Sequence, residues 1–187
     1  MGWIVLGVVG GVVILVVLWG ISTYNGFIKI RERVEESFST MDVYLKKRYD
    51  LIPNLVATVK GYAQHEEGAL TKVVEARSKA LTSNDPAARA ENEAALTGAL
   101  RGLLALTENY PDLKADRQFL ELQGQLQSIE GDIAQSRKYY NAVVKQLNTK
   151  RQVFPSVIIA NMFGIREAAY FVVEDAEERQ NVRVDFS

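Results

Sequence analysis

Residues 2–21 read Gly-Trp-Ile-Val-Leu-Gly-Val-Val-Gly-Gly-Val-Val-Ile-Leu-Val-Val-Leu-Trp-Gly-Ile, and this stretch contains only glycine, valine, isoleucine, leucine and tryptophan. The first charged side chain after it is Lys29. An α-helix rises 1.5 Å per residue, so a helix of this length spans about 30 Å, the thickness of a bilayer core. The sequence therefore predicts a transmembrane anchor at residues 1–24.

Aromatic side chains mark both ends of this anchor. Trp3 lies near its start, and Trp19 and Tyr24 lie near its end, where amphipathic rings favour the headgroup interface. A cleaved secretory signal is the alternative, but it needs a cationic start and a small-residue cleavage site, and neither is present here. We therefore expect the anchor to be retained and to contact the lipid bilayer.

Gly7 and Gly11 form a G-x-x-x-G motif inside the anchor. This spacing lets two membrane helices approach closely, so it favours a homo-oligomer. The alternative is that glycine is simply common in membrane helices, as Gly10 and Gly20 illustrate.

The residues after the anchor follow a helical pattern. Apolar residues recur every three or four positions from Phe27 to Tyr62, which indicates one buried stripe on a helix. Pro53 interrupts this stripe, and we expect a kink or a new helix capped by Asp50. Asp85 and Pro86 are typical of the start of another helix.

The clearest pattern is a heptad repeat near the C-terminal end of the helical region. It predicts a long helix that packs against neighbouring helices as in a coiled coil. Its first row is Phe119, Leu126, Ile133, Tyr140 and Leu147, and its second row is Leu122, Ile129, Ser136 and Val143.

These patterns together predict an all-α protein. The N-terminal transmembrane helix is followed at residues 25–165 by an antiparallel bundle of three to four long helices, because short connections favour that arrangement. Residues 166–187 form a tail that we expect to be partly extended or disordered, with a short edge strand at 182–186.

The composition excludes several functional classes. The formal net charge is -1, which gives no cationic field for nucleic acid. The chain has no cysteine and a single histidine, His65, so thiolate metal sites and paired-histidine metal sites are excluded. We predict no catalytic residues, no metal site and no cofactor, and thus no enzyme.

Four charged residues stand out near the helical stripes. Glu130 and Arg137 flank the heptad rows, and Arg48 and Asp50 lie beside the stripe of the first helix. Our hypothesis is that they form a buried polar layer inside the bundle, where ion pairs fix the register of the helices. The alternative of equal weight is an ordinary solvated face.

The chain resembles the LemA family of bacterial membrane proteins from the anchor to about Phe163. The resemblance implies an N-terminal membrane helix and a helical bundle, and it implies no enzymatic activity and no cofactor. The segments that carry it are Tyr24-Asn25, Lys46-Lys47-Arg48-Tyr49-Asp50-Leu51-Ile52-Pro53-Asn54-Leu55-Val56, Val59-Lys60-Gly61-Tyr62-Ala63, His65-Glu66, Ala76-Arg77, Tyr110-Pro111-Asp112-Leu113-Lys114-Ala115, Phe119, Leu122-Gln123, Ile129-Glu130, Arg137, Tyr140-Asn141 and Phe154-Pro155.

The expected location is the inner membrane of a bacterial cell, crossed once. Lys29, Arg31 and Arg33 follow the anchor and no basic side chain precedes it, so the positive-inside rule favours an outside N-terminus and a cytosolic domain. A periplasmic domain remains the alternative, since glutamates interleave with these cations.

The expected function is that of a membrane-anchored structural or scaffolding component that self-assembles. The alternative is a tethered adaptor or signalling protein that recruits an unknown protein partner through a helix face or the acidic tail. The two differ in whether the stoichiometric partner is a second copy or another protein.

Overall fold

A computed structural model describes residues 1–83 and 85–172, and within these residues the chain is helical and contains no strand. The predicted all-α class is therefore confirmed. The predicted edge strand and most of the tail lie outside the described residues. The helices are α1 (Gly2–Tyr62), α2 (Glu67–Thr82), α3 (Pro86–Thr107), α4 (Pro111–Ala115), α5 (Arg117–Gln152) and α6 (Ser156–Met162).

The first helix, α1, is continuous for 61 residues and includes Pro53 in its interior. No new helix begins at Asp50, so the expected restart is wrong, whereas the expected kink stays a prediction. The reason is a contact with another helix: Arg77 of α2 donates a hydrogen bond to the carbonyl oxygen of Tyr49, the acceptor that the missing amide proton of Pro53 leaves open. The predicted anchor boundary at residue 24 lies inside this continuous helix.

The N-terminal part of α1 is apolar enough to cross a membrane, with a mean hydropathy of 2.9 over an 18-residue window. None of that window is buried. In the part of the chain that the structure describes, α1 is the one helix with these properties. Its exposed apolar surface agrees with the predicted anchor.

The chain forms two compact units, and one of them comprises Thr40–Arg137 together with the described residues from Tyr170 onward. In this unit Asp42 and Arg48 of α1 contact Arg89 and Thr97 of α3, so contacts advance in the same direction along both helices. The helices α1 and α3 therefore run parallel. Chain neighbours α2 and α3 pack together across the short connection that begins at Ser83.

The start of α3 shows how the sequence defines a helix end. Asp85 has extended backbone angles, and its carboxylate accepts a hydrogen bond from the amide of Ala88 at 2.9 Å. Pro86 occupies the first helical position, where no amide donor is needed. The predicted cap and first residue of this helix are confirmed.

The heptad rows of α5 face inward. The first row is buried throughout, and Leu122 and Val143 of the second row are also buried, whereas Ile129 and Ser136 are partly exposed. Ser136 donates its hydroxyl to the carbonyl of Asp132 at 2.8 Å and so satisfies its polar group within the helix. The burial follows from the repeat, because residues seven apart share one side of a helix.

The other compact unit comprises Met1–Ser39 and Lys138–Ala169. Its core contains Phe27, Leu147, Ile159 and Ala160. The rings of Phe38 and Tyr140 lie 5.6 Å apart, and Phe27 of α1 packs with Leu147 of α5, so these two helix segments run antiparallel.

Candidate functional site

Arg48 is the most deeply buried charged side chain described in the unit that contains Thr40–Arg137, and only 1% of its surface is exposed. It lies between Leu45 and Ile52 on the buried stripe of α1, at a position that the helical repeat otherwise gives to an apolar residue. A charge is costly to bury unless other groups pair with it. The surroundings of Arg48 therefore define the site.

Two carboxylates and one hydroxyl pair with this guanidinium. Arg48 Nη1 lies 2.7 Å from Oε1 of Glu130 on α5 and donates to Oγ1 of Thr97 on α3 at 3.2 Å. Arg48 Nη2 contacts Oε2 of Glu93, also on α3. The guanidinium thus joins three helices.

Glu93 is as deeply buried as its partner, with 2% of its surface exposed. Its second oxygen accepts a hydrogen bond from the hydroxyl of Tyr49, the residue after Arg48. The carbonyl of Tyr49 accepts from Arg77 Nε of α2 at 2.7 Å. The polar layer therefore connects the four longer helices of the unit, α1, α2, α3 and α5.

A cleft of about 150 Å³ opens beside this layer. Arg101, Arg137 and Phe171 contribute to its lining together with Arg48 and Glu130. Arg137 is partly exposed, as is Glu130, whose side chain is 35% exposed. The solvent exposure of the charged residues that line the cleft therefore increases from Arg48, which is fully buried, to Glu130 and Arg137, which water reaches.

The sequence predicts a polar layer of Arg48, Asp50, Glu130 and Arg137, and the structure brings three of these four residues to one cleft. Arg48 and Glu130 are in direct contact, and Arg137 lines the same cleft. Asp50 is exposed and does not belong to the layer, because it lies two residues, about 200° around the helix, from Arg48. The placement of Asp50 was wrong for this geometric reason.

Glu93 is the residue that the sequence reasoning missed. It occupies a position on the buried stripe of α3, between Ala90 and Leu96. A carboxylate on an apolar stripe is a readable signal of a buried partner, as Arg48 is on α1. The sequence patterns of α1 and α3 do not identify which residue on the other helix is the partner.

A second ion cluster joins α1 and α3 near this layer. Asp42 contacts Arg89 and lies 2.8 Å from Lys46 Nζ. Burial alone would raise the pKa of Asp42, but the hydrogen bond from Lys46 and the charge of Arg89 outweigh burial, so the pKa is lowered below 3.8. This carboxylate is held in its charged form.

The chemistry of the layer is that of a structural ion network. Buried ion pairs are weak stabilisers, but loss of one partner is strongly unfavourable because the other charge remains buried. Each contact requires a particular axial position of α1 relative to α3 or α5. The layer therefore favours one register of the bundle, which is the role that we propose for it.

The remaining predicted residues lie elsewhere. His65 is exposed, and among residues 1–83 and 85–172 no three acidic or histidine side chains form a group that could hold a metal ion. Trp3 is 90% and Trp19 38% exposed, whereas Tyr24 is partly buried against Phe163. A Cβ atom added at Gly7 or Gly11 would meet no atom within 4 Å.

Comparisons with known proteins match residues 37–186 to the LemA family. Protein LemA of Metamycoplasma hominis is 25% identical over 165 residues, which cover 87% of this chain and 74% of that protein. Magnetosome proteins MamQ 1 and MamQ 2 of Paramagnetospirillum magneticum are each 24% identical over 174 residues, and the match covers 79% of this chain and 64% of each relative. The chain thus spans just under two thirds of the two magnetosome proteins.

Proposed function

The chain belongs to the LemA family, and we propose that it acts as a single-pass membrane-anchored helical-bundle protein that self-assembles into a structural or scaffolding component. The family resemblance stated from the sequence is confirmed by this membership. We assign no reaction to the chain. We further propose that the N-terminus lies outside and that the domain lies in the cytosol.

One observation carries the proposal: the apolar part of α1 is exposed along its length. Trp3, Leu6, Leu15 and their apolar neighbours up to Leu18 are each more than half exposed. An apolar helix surface of this length is covered in a cell by lipid or by other membrane helices. Its length and composition favour the membrane.

The glycine motif favours a second copy as one of these neighbours. Gly7 and Gly11 are four residues apart and therefore lie on one side of the helix, with open space around both. Small residues at this spacing allow backbone approach and close packing between membrane helices. A second copy presents the same groove, so the contact is symmetric.

The bundle supports assembly by being rigid and tethered. The polar layer around Arg48 favours one register, so each copy presents the same surface. Confinement to a membrane raises the local concentration of neighbouring copies, so weak contacts are sufficient for an oligomer. Neither property requires a soluble partner.

Light scattering of the full-length protein in detergent tests the proposal. We expect a mass of more than one copy that persists over a series of detergent concentrations, and a reduced mass for Gly7→Ile/Gly11→Ile. The matched control is Val9→Ile, because Val9 is exposed and lies about 200° around the helix from both glycines. A strictly monomeric wild-type protein at every concentration would contradict self-assembly.

A stoichiometric complex with a different protein, purified from native membranes, would instead favour the adaptor function. Light scattering and purification from native membranes together therefore separate the two functions.

A further inference from the structure

The short helix α6 packs beside the end of the apolar stretch of α1, within one compact unit. Ile159 Cδ1 lies 3.7 Å from the position that a Cβ atom on Gly20 would occupy. One turn further along α1, the rings of Tyr24 and Phe163 are 4.6 Å apart. The helix α6 therefore lies at the level where the anchor ends.

Hydrogen bonds hold α6 firmly at this level. The Ser156 hydroxyl donates to the carbonyl of Lys150 at 2.7 Å and so joins the start of α6 to the end of α5. At the other end, Gly164 has φ 63°, and the amide of Ile165 donates to the carbonyl of Ala160 at 2.9 Å. This is a Schellman termination, which needs a left-handed residue that glycine supplies without strain.

The inner and outer faces of α6 are both apolar. Ile159 and Ala160 face inward and are buried in the core with Phe27 and Leu147. The outer surface is also largely apolar, although Asn161 is exposed there. The exposed fractions are 52% for Ile158 and 65% for Met162 on the helix, and 80% for Phe154 and 53% for Phe163, which flank it. Ile158, Met162 and Phe163 form a contiguous apolar surface, since all three line one groove, and together with Phe154, which precedes the helix, we call them the α6 face.

The α6 face continues into the anchor through an apolar groove. The groove has a volume of about 490 Å³, and its walls include Val16, Val17 and Trp19 of α1 and Ile158 and Met162 of α6. The anchor surface and the α6 face are therefore one apolar surface, without a polar boundary between them. The lipid that covers the end of the anchor therefore also reaches the groove.

A cation lies where the membrane interface would be. Lys150 Nζ lies 4.7 Å from the centre of the Phe27 ring and 3.5 Å from the carbonyl oxygen of Thr23, at the end of the anchor. Phe27 is fully buried, so the ammonium points toward α1 and not toward headgroups. A charged group at the level of Thr23 and Phe27 still indicates that the apolar core of the bilayer ends before this level.

We propose that the α6 face is a second membrane contact, which inserts into the interface of the same bilayer that the anchor crosses, with lipid acyl chains filling the groove beside Trp19. The proposal rests on the proposed function, because it requires that α1 spans the membrane. The consequence is that the chain is held by two elements. An anchor alone permits the domain to swing, whereas a helix lying in the interface fixes the tilt of the unit that comprises Met1–Ser39 and Lys138–Ala169.

The absence of cysteine in the full sequence allows a clean test by single-cysteine labelling. The full-length protein, carrying an environment-sensitive fluorophore at Met162→Cys, is placed in vesicles of phosphatidylcholine and phosphatidylglycerol. Doxyl-labelled lipid is the quencher. Phe154→Cys is a second reporter on the same face, so the result does not depend on one variant.

Two further sites serve as references. Val13→Cys reports the anchor itself. Tyr139→Cys is the water reference, because Tyr139 is 57% exposed and lies eleven residues before Lys150, about 16 Å along α5.

The expected result is blue-shifted emission at Met162 and Phe154, with quenching by doxyl lipid several-fold stronger than at Tyr139. Emission and quenching at Met162 and Phe154 equal to those at Tyr139, with Val13 quenched, would overturn the α6 contact and leave the anchor intact. Blue-shifted emission without lipid quenching would also overturn it, since a protein would then cover the face. Absence of quenching at Val13 would contradict the proposed function as well.

Discussion

Arg77 Nε donates a hydrogen bond of 2.7 Å to the carbonyl oxygen of Tyr49, and this carbonyl is the one that a residue at position 53 would otherwise bond within α1. Pro53 has no amide proton, so the intrahelical bond is missing. A side chain from α2 therefore supplies the donor that the α1 backbone lacks. This contact explains how a helix with an interior proline remains continuous through the bundle.

This relationship predicts energetic coupling between Arg77 and Pro53. Arg77→Met leaves the carbonyl of Tyr49 without its donor, and we expect the free energy of unfolding to fall by about 1–3 kcal/mol. In a Pro53→Ala background the helix supplies its own amide, so the cost of Arg77→Met should shrink by about 1 kcal/mol. Far-UV circular dichroism during unfolding in detergent micelles measures both values.

The control for that cycle is Lys72→Met, an exposed cation on the same helix. It should change the free energy of unfolding by no more than about 0.5 kcal/mol. Equal costs of Arg77→Met with and without Pro53 would show that the contact does not compensate for the proline.

The ion network around Arg48 predicts which substitutions destabilise the protein most. Arg48→Met leaves the buried Glu93 without its cationic partner, and we expect a loss of about 3–5 kcal/mol in the free energy of unfolding. Glu130→Ala should cost less, because the side chain of Glu130 is 35% exposed and Arg48 retains Glu93. The midpoints of thermal unfolding report the order.

Glu91→Ala serves as the matched control, since Glu91 is an exposed carboxylate on the same helix as Glu93. Its midpoint should equal that of the wild type. If Arg48→Met and Glu91→Ala shift the midpoint equally, the network has no special role in the bundle.

Asp42 gives a prediction about pH. Its pKa is lowered from 3.8 by Lys46 and Arg89 against the opposing effect of burial. A carboxyl whose folded pKa is lowered contributes stability above its unfolded pKa, and this contribution is lost as the pH falls below 3.8 and through the folded pKa. Asp42→Asn should therefore lower the thermal midpoint at neutral pH, and the difference from wild type should fade in strong acid.

A difference between Asp42→Asn and wild type that stays constant from neutral pH to strong acid would exclude this explanation. The negative charge of Asp42 would then contribute nothing to the stability of the fold.

The proposed orientation predicts which compartment a reporter occupies. Tyr139→Cys places one thiol on an exposed position of α5 in an otherwise cysteine-free chain. If the domain is cytosolic, a membrane-impermeant maleimide should label it only after cells are permeabilised. Labelling of intact spheroplasts would place the domain in the periplasm.

The sequence predicted the helices well because their signals are local. Apolar spacing, the heptads of α5 and the Asp85 cap depend on residues within a few turns of one another, and the structure shows each of them. The continuity of α1 through Pro53 was not predictable in this way. It depends on Arg77, which lies 28 residues from Tyr49 along the chain.

The polar layer shows the same limit. Arg48 and Glu130 lie on or beside apolar stripes, where a charged residue type by itself indicates a buried partner. Glu93 was missed because the stripe of α3 is weak on the side before it, where it carries Ala90, and its leucines begin only at Leu96. Asp50 was included because it lies close to Arg48 along the chain, whereas the helical turn directs it outward.

Cysteine cross-linking in native membranes tests the central claim of membrane-anchored self-assembly most directly. Ile14 lies on the side of α1 that carries Gly7 and Gly11, and Val16 lies on the opposite side, with exposed fractions of 61% and 59%. After mild oxidation, we predict a disulfide-linked dimer for Ile14→Cys and little for Val16→Cys. Equal yields at both positions, or none at either, would contradict self-assembly through the glycine side of the anchor.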